Sequence, residues 1–244
     1  MAKNLHVGDR VYVPWTRLGV VDDKPSALHY TRVVEVNQRS VVVEMPDANR
    51  TTVASSAVLK NLGIAVIRIG DLETEVGLLD PLAKSVLQFL RLLNTDDSFT
   101  RLFETRSLAE LRHFWENNGG ALSHVVLIGH GSDAGIRFGT EGTKSAQDIG
   151  EIVAQDGQRK QFISLCCHTG RAAFAKAFSG FPACESIIAP FDSVHGAVAS
   201  QFCQTFFAFH LLNGITTTVA FKNTCKSVPG NHVLKLWQNS KRKG

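Results

Sequence analysis

The chain has 244 residues, of which 44% are hydrophobic and 20% are charged, and its formal net charge is +4. This composition is ordinary for a globular protein, so it excludes disordered and fibrous architectures and leaves one or two folded domains. The mild charge is scattered along the chain, so a nucleic-acid partner is not indicated, and the terminal "SKRKG" is interpreted as a solvated end.

Localisation is predicted from the apolar runs and the cysteines. No apolar stretch reaches the roughly 18 residues that a membrane span needs, and the opening "MAKNLHVGDR" has no apolar core of a signal peptide. The five cysteines form an odd set without the paired spacing of a zinc site, so reduced thiols are expected. These patterns predict a cytoplasmic protein without membrane association.

The first sixty residues contain short β-rich runs separated by turn signals: "RVYVPW", "HYTRVVEVN", "SVVVEMP" and "RTTVAS". Alternation over such short runs predicts a small five-stranded β-barrel over residues 1–60. The length and the opening "VGDRVYVPW" resemble SH3-like, Tudor-like and KOW-like modules. This segment contains eight lysines and arginines and six acidic residues. The small surplus of positive charge does not indicate phosphate binding. A regulatory protein partner is the expected ligand of the barrel.

After "LKNLG" the pattern changes to strands that alternate with amphipathic helices, which is typical of βαβ units on a mostly parallel sheet. We therefore place the domain boundary near Asn61, with an α/β domain over residues 61–244. Pro81 is expected in the first turn of a helix, and Ser107 with Glu110 predicts a capping box at the start of another. The predicted strands cover 64–70, 99–105, 124–128, 161–167 and 186–191, and the predicted helices cover 80–93, 108–117, 145–155, 168–178 and 195–213.

Two of these strands end in residues that are capable of chemistry. "HVVLIGHG" ends at His130 between two glycines, and "QFISLCC" ends at Cys167 before "HTGRAAFAKAF". Functional groups of parallel sheets gather at the carboxyl edge of the strands. If these strands are neighbours, the imidazole faces the thiol and raises its thiolate fraction. The amides of Gly131 and Cys167 are then placed to donate to an oxyanion.

A strand ending in Gly-His-Gly, followed by one ending in Cys-His-Thr-Gly, resembles the caspase-fold cysteine peptidases of clan CD. The texts "LIGHG" and "SLCCHTG" are especially similar to the motifs of metacaspases and of CHAT-type bacterial relatives, and the resemblance covers about residues 64–225. It implies His130 as general base, Cys167 as nucleophile and endopeptidase activity on protein substrates, with no metal or other cofactor. It also implies a role in regulated death or antiphage defence of bacteria.

The sequence departs from the metacaspase pattern at the position two residues before the nucleophile. Metacaspases carry there an aspartate that helps to hold a basic side chain, whereas this chain has Leu165. Asp192 and Asp71 follow two other strands at the same predicted edge and are the tentative substrate-binding acids, although each also fits a solvated loop residue or a helix cap. Cys166 takes the motif's Ser or Ala position and is expected in the core.

Two other functions stay open at this point. One is an inactive caspase-like scaffold whose barrel binds a protein or nucleic-acid partner. The other is acyl transfer or hydrolysis on a small molecule, because a thiol and an imidazole serve these reactions equally well. Neighbouring histidines receive structural interpretations: His168 shapes the loop after the nucleophile, and His195 caps a helix.

Overall fold

The computed structural model of the chain describes residues 5–20, 27–71, 76–94, 99–156 and 158–244. The N-terminal part is a four-stranded antiparallel sheet in chain order, made of β1 (Arg10–Pro14), β2 (Leu28–Val36), β3 (Ser40–Glu44) and β4 (Arg50–Ala54). Alternate valines of these strands point to one face, where they form a small apolar core of their own. The predicted β-rich segment is therefore confirmed as an antiparallel sheet.

Closure of this sheet is limited to a single backbone pair. A short 3₁₀ turn follows β4, after which Tyr12 and Leu59 exchange two backbone hydrogen bonds of 2.8 and 2.9 Å. In the described residues this bridge stands where a fifth strand was predicted. The SH3-like barrel consequently stays a prediction, as does the domain boundary, although the next strand begins only two residues after Asn61.

The rest of the chain alternates strands and helices. In order, its elements are β5 (Gly63–Ile69), α1 (Val76–Asn94), β6 (Thr100–Thr105), α2 (Leu108–Asn118), β7 (Leu122–Ile128), β8 (Gly131–Ser132), β9 (Gly135–Phe138), β10 (Gly142–Lys144), α3 (Ala146–Val153), β11 (Lys160–Ser164), α4 (Ala172–Phe178), β12 (Cys184–Pro190), α5 (Gly196–Phe207), α6 (Thr217–Ser227), β13 (Leu234–Gln238) and β14 (Lys241–Arg242).

Seven of these strands form one sheet in the order β14-β13-β12-β11-β7-β5-β6. The five strands from β12 to β6 are parallel, and β13 and β14 are antiparallel additions at one side. Helices α1, α5 and α6 cover one face, and α2, α3 and α4 cover the other. The predicted mostly parallel sheet flanked by helices is thus confirmed. Strands β8, β9 and β10 form a small separate sheet beyond the end of β7.

The central strands of the sheet are buried on both faces, which explains why β5, β7 and β12 are largely apolar runs. In β7, for example, every residue from His124 to Ile128 is buried, and in β11 all five residues are buried. The polar side chains inside these strands, such as those of Arg68, His124 and Gln161, are buried, so groups that solvent can reach lie beyond the strand ends. The fold therefore concentrates chemistry at the sheet edges.

Several predicted boundaries differ from the structure. Helix α1 begins at Val76, so Pro81 lies inside the helix and not in its first turn. Strand β11 ends at Ser164, which leaves both adjacent cysteines in the following turn. The predicted long helix divides into α5 and a π-helical segment, Ala208–Leu212.

The last part of the chain contains α6, β13 and β14, for which no sequence pattern was interpreted. Lys241 and Arg242 of the basic terminal segment pair with β13, although both side chains are exposed. The exposed side chains agree with the interpretation of "SKRKG" as a solvated end, and the backbone pairing with β13 is an addition that the sequence did not indicate. In the described part of the chain no helix is both long and apolar enough to cross a membrane.

Candidate active site

The two strands that precede His130 and Cys167 are direct neighbours. Strands β7 and β11 run parallel, with Ser164 of β11 paired with Leu127 of β7, and the amide of Leu165 donates to the Leu127 carbonyl at 2.8 Å. His130 and Cys167 each lie three residues beyond the Leu127–Ser164 pair. The chain order therefore brings the imidazole-bearing turn and the thiol-bearing turn to the same carboxyl edge.

The two turns also contact each other. A Cβ atom added at Gly131 would lie 2.5 Å from the carbonyl oxygen of Cys167 and 2.9 Å from the Cβ of Cys166. On the other side of the imidazole, a Cβ at Gly129 would lie 2.6 Å from the carbonyl oxygen of Ile69. Both glycines that flank His130 are thus required by close backbone approach. The His130 side chain is exposed, and Cys167 is half-buried.

Hydrogen bonds from buried groups hold the cysteine turn in place. The hydroxyls of Ser164 and Thr169 lie 2.8 Å apart, and the Thr169 hydroxyl donates to the Cys166 carbonyl at 2.7 Å. From the neighbouring part of the sheet, the indole of Trp237 donates to the Gly170 carbonyl at 3.0 Å. These bonds satisfy the polar groups of a turn that would otherwise be costly to bury. They also restrict the backbone on both sides of the thiol.

The residue after the thiol has an unusual backbone conformation. His168 has a φ of 64°, in the left-handed region that residues other than glycine rarely adopt. Its Nε2 lies 3.2 Å from the Ser193 hydroxyl, so the ring connects the cysteine turn to the loop after β12. This contact agrees with the prediction that His168 shapes the loop.

The remaining thiols are in apolar surroundings. Cys166 is fully buried, and loss of hydration raises the pKa of its thiol to about 12. Burial also raises the pKa of Cys184, Cys203 and Cys225. A thiol whose pKa is raised is a poor nucleophile because little thiolate is present at neutral pH. The core position predicted for Cys166 is confirmed.

The two tentative substrate-binding acids follow the strands on either side of this pair. Asp71 follows β5, which neighbours β7, and Asp192 follows β12, which neighbours β11. Both side chains are exposed. The Asp192 carboxylate accepts a hydrogen bond from the Arg171 guanidinium at 3.0 Å. The topology therefore brings both acids to the same edge as His130, Gly131 and Cys167, with Asp192 in an ion pair.

Sequence patterns did not single out Arg171, which connects three loops at this edge. Its Nε donates to the Phe191 carbonyl at 3.0 Å, and its guanidinium lies 4.0 Å from the Asp133 carboxylate in the β8–β9 turn. The sequence feature that could have drawn attention to this arginine is its position directly after Cys-His-Thr-Gly. Its partners are distant along the chain, so their identity follows only from the fold.

No known protein family and no curated protein matches the sequence. Solved structures do match: an inactive zymogen of a C11 protease from Parabacteroides distasonis has a TM-score of 0.51 and 11% identity, over 72% of this chain and 61% of that chain. A secreted C11 cysteine protease from Bacteroides thetaiotaomicron, solved with an irreversible peptide inhibitor, has a TM-score of 0.52 and 9% identity, over 74% and 67% of the two chains. A structure of a secreted C11 cysteine protease from the same species, named iotapain, has a TM-score of 0.54 and 7% identity, with the same coverage.

These similarities establish the architecture of the α/β part. The chain has the caspase-like fold of the C11 cysteine proteases, and it spans less than two thirds of the length of the zymogen. Identities of 7 to 11% show the fold alone. The chemistry must be argued from the residues at the sheet edge.

Proposed function

We propose that this chain is a cysteine endopeptidase in which Cys167 is the nucleophile and His130 is the general base. The observation that carries the proposal is the packing of the Gly131 turn against the Cys167 carbonyl, at the ends of two adjacent parallel strands. A nucleophile and its base need such proximity, and an imidazole on an exposed turn can adjust its distance when a substrate binds. The fold shared with C11 cysteine proteases supports the same assignment.

The chemistry follows from a thiol and an imidazole. His130 accepts the proton of the Cys167 thiol, and the thiolate attacks the carbonyl carbon of the scissile peptide bond. Collapse of the tetrahedral intermediate breaks the C–N bond while the imidazolium donates its proton to the leaving amine. Water, deprotonated by the same imidazole, then hydrolyses the thioester and returns the free thiol.

Backbone amides at the same edge are suited to stabilise the oxyanion of both intermediates. Arg137 donates its amide to the His130 carbonyl at 2.9 Å, and Gly131 pairs with Ile136. Because bonded and non-bonded pairs alternate along an antiparallel ladder, the Gly131 amide points away from β9. No backbone carbonyl in the described part of the chain accepts from the Cys167 amide. We therefore assign these two amides as oxyanion donors.

For the substrate side chain, we retain Asp192 and Asp71 as the tentative binding acids. Leu165 is buried in the apolar cluster beneath α5, so a basic residue of the substrate finds no carboxylate at that position. Asp192 already binds Arg171, and a basic substrate residue would have to compete with that guanidinium. The preference of the enzyme for a basic residue before the scissile bond therefore depends on exposed charged side chains whose ion pairs a substrate can replace.

The decisive experiment is active-site labelling combined with peptide cleavage. We expect a peptidyl acyloxymethyl ketone to modify Cys167 in the wild type, as located by mass spectrometry. Cys167→Ala should abolish labelling and cleavage, and His130→Ala should lower both rates by about 10²- to 10⁴-fold, the usual contribution of a positioned base. Cys225→Ala and His113→Ala are matched controls, since they remove a half-buried thiol and an exposed imidazole elsewhere.

The same experiment separates the peptidase from an inactive scaffold. If Cys167→Ala and His130→Ala leave labelling and cleavage at the level of the two controls, the chain is not a cysteine peptidase of this kind. Turnover of thioesters or small amides without cleavage of any member of a peptide library would instead assign the pair to small-molecule acyl chemistry.

The biological setting is proposed from the resemblance to bacterial caspase-like proteins alone. A role in regulated death or antiphage defence requires that the peptidase activity matter to infected cells. Plaque formation on bacteria that express the wild type should be lower than on bacteria that express Cys167→Ala. Equal plaque counts at equal protein levels would remove the defence role while leaving the peptidase proposal intact.

A further inference from the structure

A cavity lies at the opposite end of the α/β sheet from His130 and Cys167. Its volume is about 390 Å³, and its lining includes Gly63 and Ala121, at the amino ends of β5 and β7, together with side chains of the N-terminal sheet. This volume is within the range of small-ligand pockets, roughly 300–1,000 Å³. The proposed peptidase mechanism does not use this cavity.

The strands that border the cavity carry an unusual pair of like charges. Arg10 of β1 lies directly opposite Arg32 of β2, and both side chains are exposed. Tyr12 exchanges its backbone hydrogen bonds with Leu59 and not with β2, so the β1–β2 pairs on this face, Tyr12–Tyr30 and Arg10–Arg32, are of the non-bonded type. In such pairs the side chains are closest, and like charges placed there destabilise the sheet.

Among the described residues, none neutralises the arginine pair through a salt bridge. The nearby acid Asp9 is occupied by Lys60 at 2.9 Å. A cross-strand cation pair without a counter-ion is explained if an anion binds between the guanidinium groups.

Aromatic rings stand next to the two cations. Tyr12 and Tyr30 form the adjacent cross-strand pair with ring centroids 4.9 Å apart, and Phe99 packs edge-on against Tyr12 at 5.4 Å. The Arg10 guanidinium lies 5.7 Å from the Tyr30 ring centroid. Tyr30 keeps 52% of its surface exposed despite these contacts. The cavity thus presents free aromatic surface beside paired positive charge.

We propose that this cavity binds the base and phosphate of a nucleotide, with the base against Tyr30 and the phosphate beside Arg10, whose cross-strand neighbour Arg32 lies outside the lining and adds a second positive charge. Stacking on an aromatic ring and charge-assisted contacts from arginine are features by which proteins hold this unit without reading its sequence. A free nucleotide and a segment of single-stranded nucleic acid share this chemistry. The net charge of the first sixty residues does not indicate this site, because acidic residues elsewhere in the segment offset the charges of the arginines.

The test uses the full chain and three fluorescent probes: adenosine monophosphate, a twelve-nucleotide single strand of thymidine and a twelve-base-pair duplex. Anisotropy titrations should show binding of one or both of the first two, and the relative affinities tell which source is preferred. Tyr30→Ala should weaken this binding by about 5- to 150-fold, the usual effect of losing one stacked base. Arg10→Gln and Arg32→Gln should each reduce the slope of log affinity against log salt for the single strand by about 0.7.

Arg39→Gln is the matched control, because Arg39 is an exposed arginine of the β2–β3 turn that neither lines the cavity nor pairs with Arg10. Cys167→Ala is a second control, and it should bind the probes like the wild type whether or not the chain is a peptidase. No binding of either single-stranded probe, equal weakening by Arg39→Gln, or tighter binding of the duplex would each overturn the proposal. Melting temperatures of the tyrosine and arginine variants should not lie well below that of the wild type, since the substituted side chains are exposed.

Discussion

Gly131→Ala tests the contact on which the proposed active site depends. The added Cβ would lie 2.5 Å from the Cys167 carbonyl oxygen, whereas ordinary contacts begin at 3.4 Å, so the two turns must separate by about 0.9 Å. The nearby Cys166 and Thr169 atoms cannot move away easily, because both residues are buried. A displacement of about 1 Å between reacting groups costs on the order of 10²-fold in rate. Overpacking of this kind should also lower the free energy of unfolding by about 1–3 kcal/mol.

The assay combines the rate of Cys167 modification by the ketone probe, kcat/KM on a fluorogenic peptide and urea unfolding. Gly120→Ala is the control, since a Cβ at Gly120 meets no atom within 4 Å. We expect the control to behave like the wild type in all three measurements. If Gly131→Ala keeps its labelling rate within about threefold and its stability unchanged, the close packing of the two turns does not exist and the assignment of the dyad loses its basis.

Three further predictions concern the surroundings of the site and the fold. Iodoacetamide at pH 8 should modify Cys167 but spare Cys166, whose pKa is raised to about 12 by burial; peptide mapping that finds equal modification would contradict this. Trp237→Phe removes the buried hydrogen bond to the Gly170 carbonyl, so urea unfolding should show a loss of about 1–3 kcal/mol. The Ser145 hydroxyl donates to the Asp148 carboxylate and lowers the pKa of that carboxyl group. The ionised carboxylate therefore stabilises the fold fully above the unfolded-state pKa of about 3.9. This stabilisation is lost as the pH falls through the lowered pKa of the folded state. Asp148→Asn should therefore lower the melting temperature at pH 7, and the difference from the wild type should narrow towards pH 3.

The strands of the parallel sheet could be predicted because burial on both faces leaves a direct record in the sequence. Strands β5 and β7 appear as continuous apolar runs, and their predicted positions agree closely with the structure. The end of β11 could not be predicted in the same way. Cys166 is as apolar as the strand before it, but the bonds of Thr169 to the Ser164 hydroxyl and the Cys166 carbonyl turn the chain away from the ladder.

Long-range pairing set the other limits of prediction. The basic terminal residues Lys241 and Arg242 have no strand pattern of their own, and only β13 makes them a strand. Arg10 lies opposite Arg32 because of the register between β1 and β2, and a count of charges does not reveal that register. The predicted start of α1 at residue 80 was wrong, because the buried apolar side of the helix already includes Leu79 and Pro81 lies inside the helix.

Substrate preference follows from the same distinction between buried and exposed positions. Leu165 occupies an apolar site, so any charge that selects a substrate comes from exposed loops, where Asp192 is 54% exposed and paired with Arg171. Exposed ion pairs contribute only about 0–1 kcal/mol, and a substrate arginine that displaces Arg171 exchanges one such pair for another. We therefore expect a peptide-library profile to favour basic over neutral residues before the scissile bond by less than about tenfold. Arg171→Ala, which frees the carboxylate, should increase that ratio, and Asp192→Asn should reduce it. A wild-type preference above a hundredfold would mean that a buried carboxylate, and not this surface pair, holds the substrate.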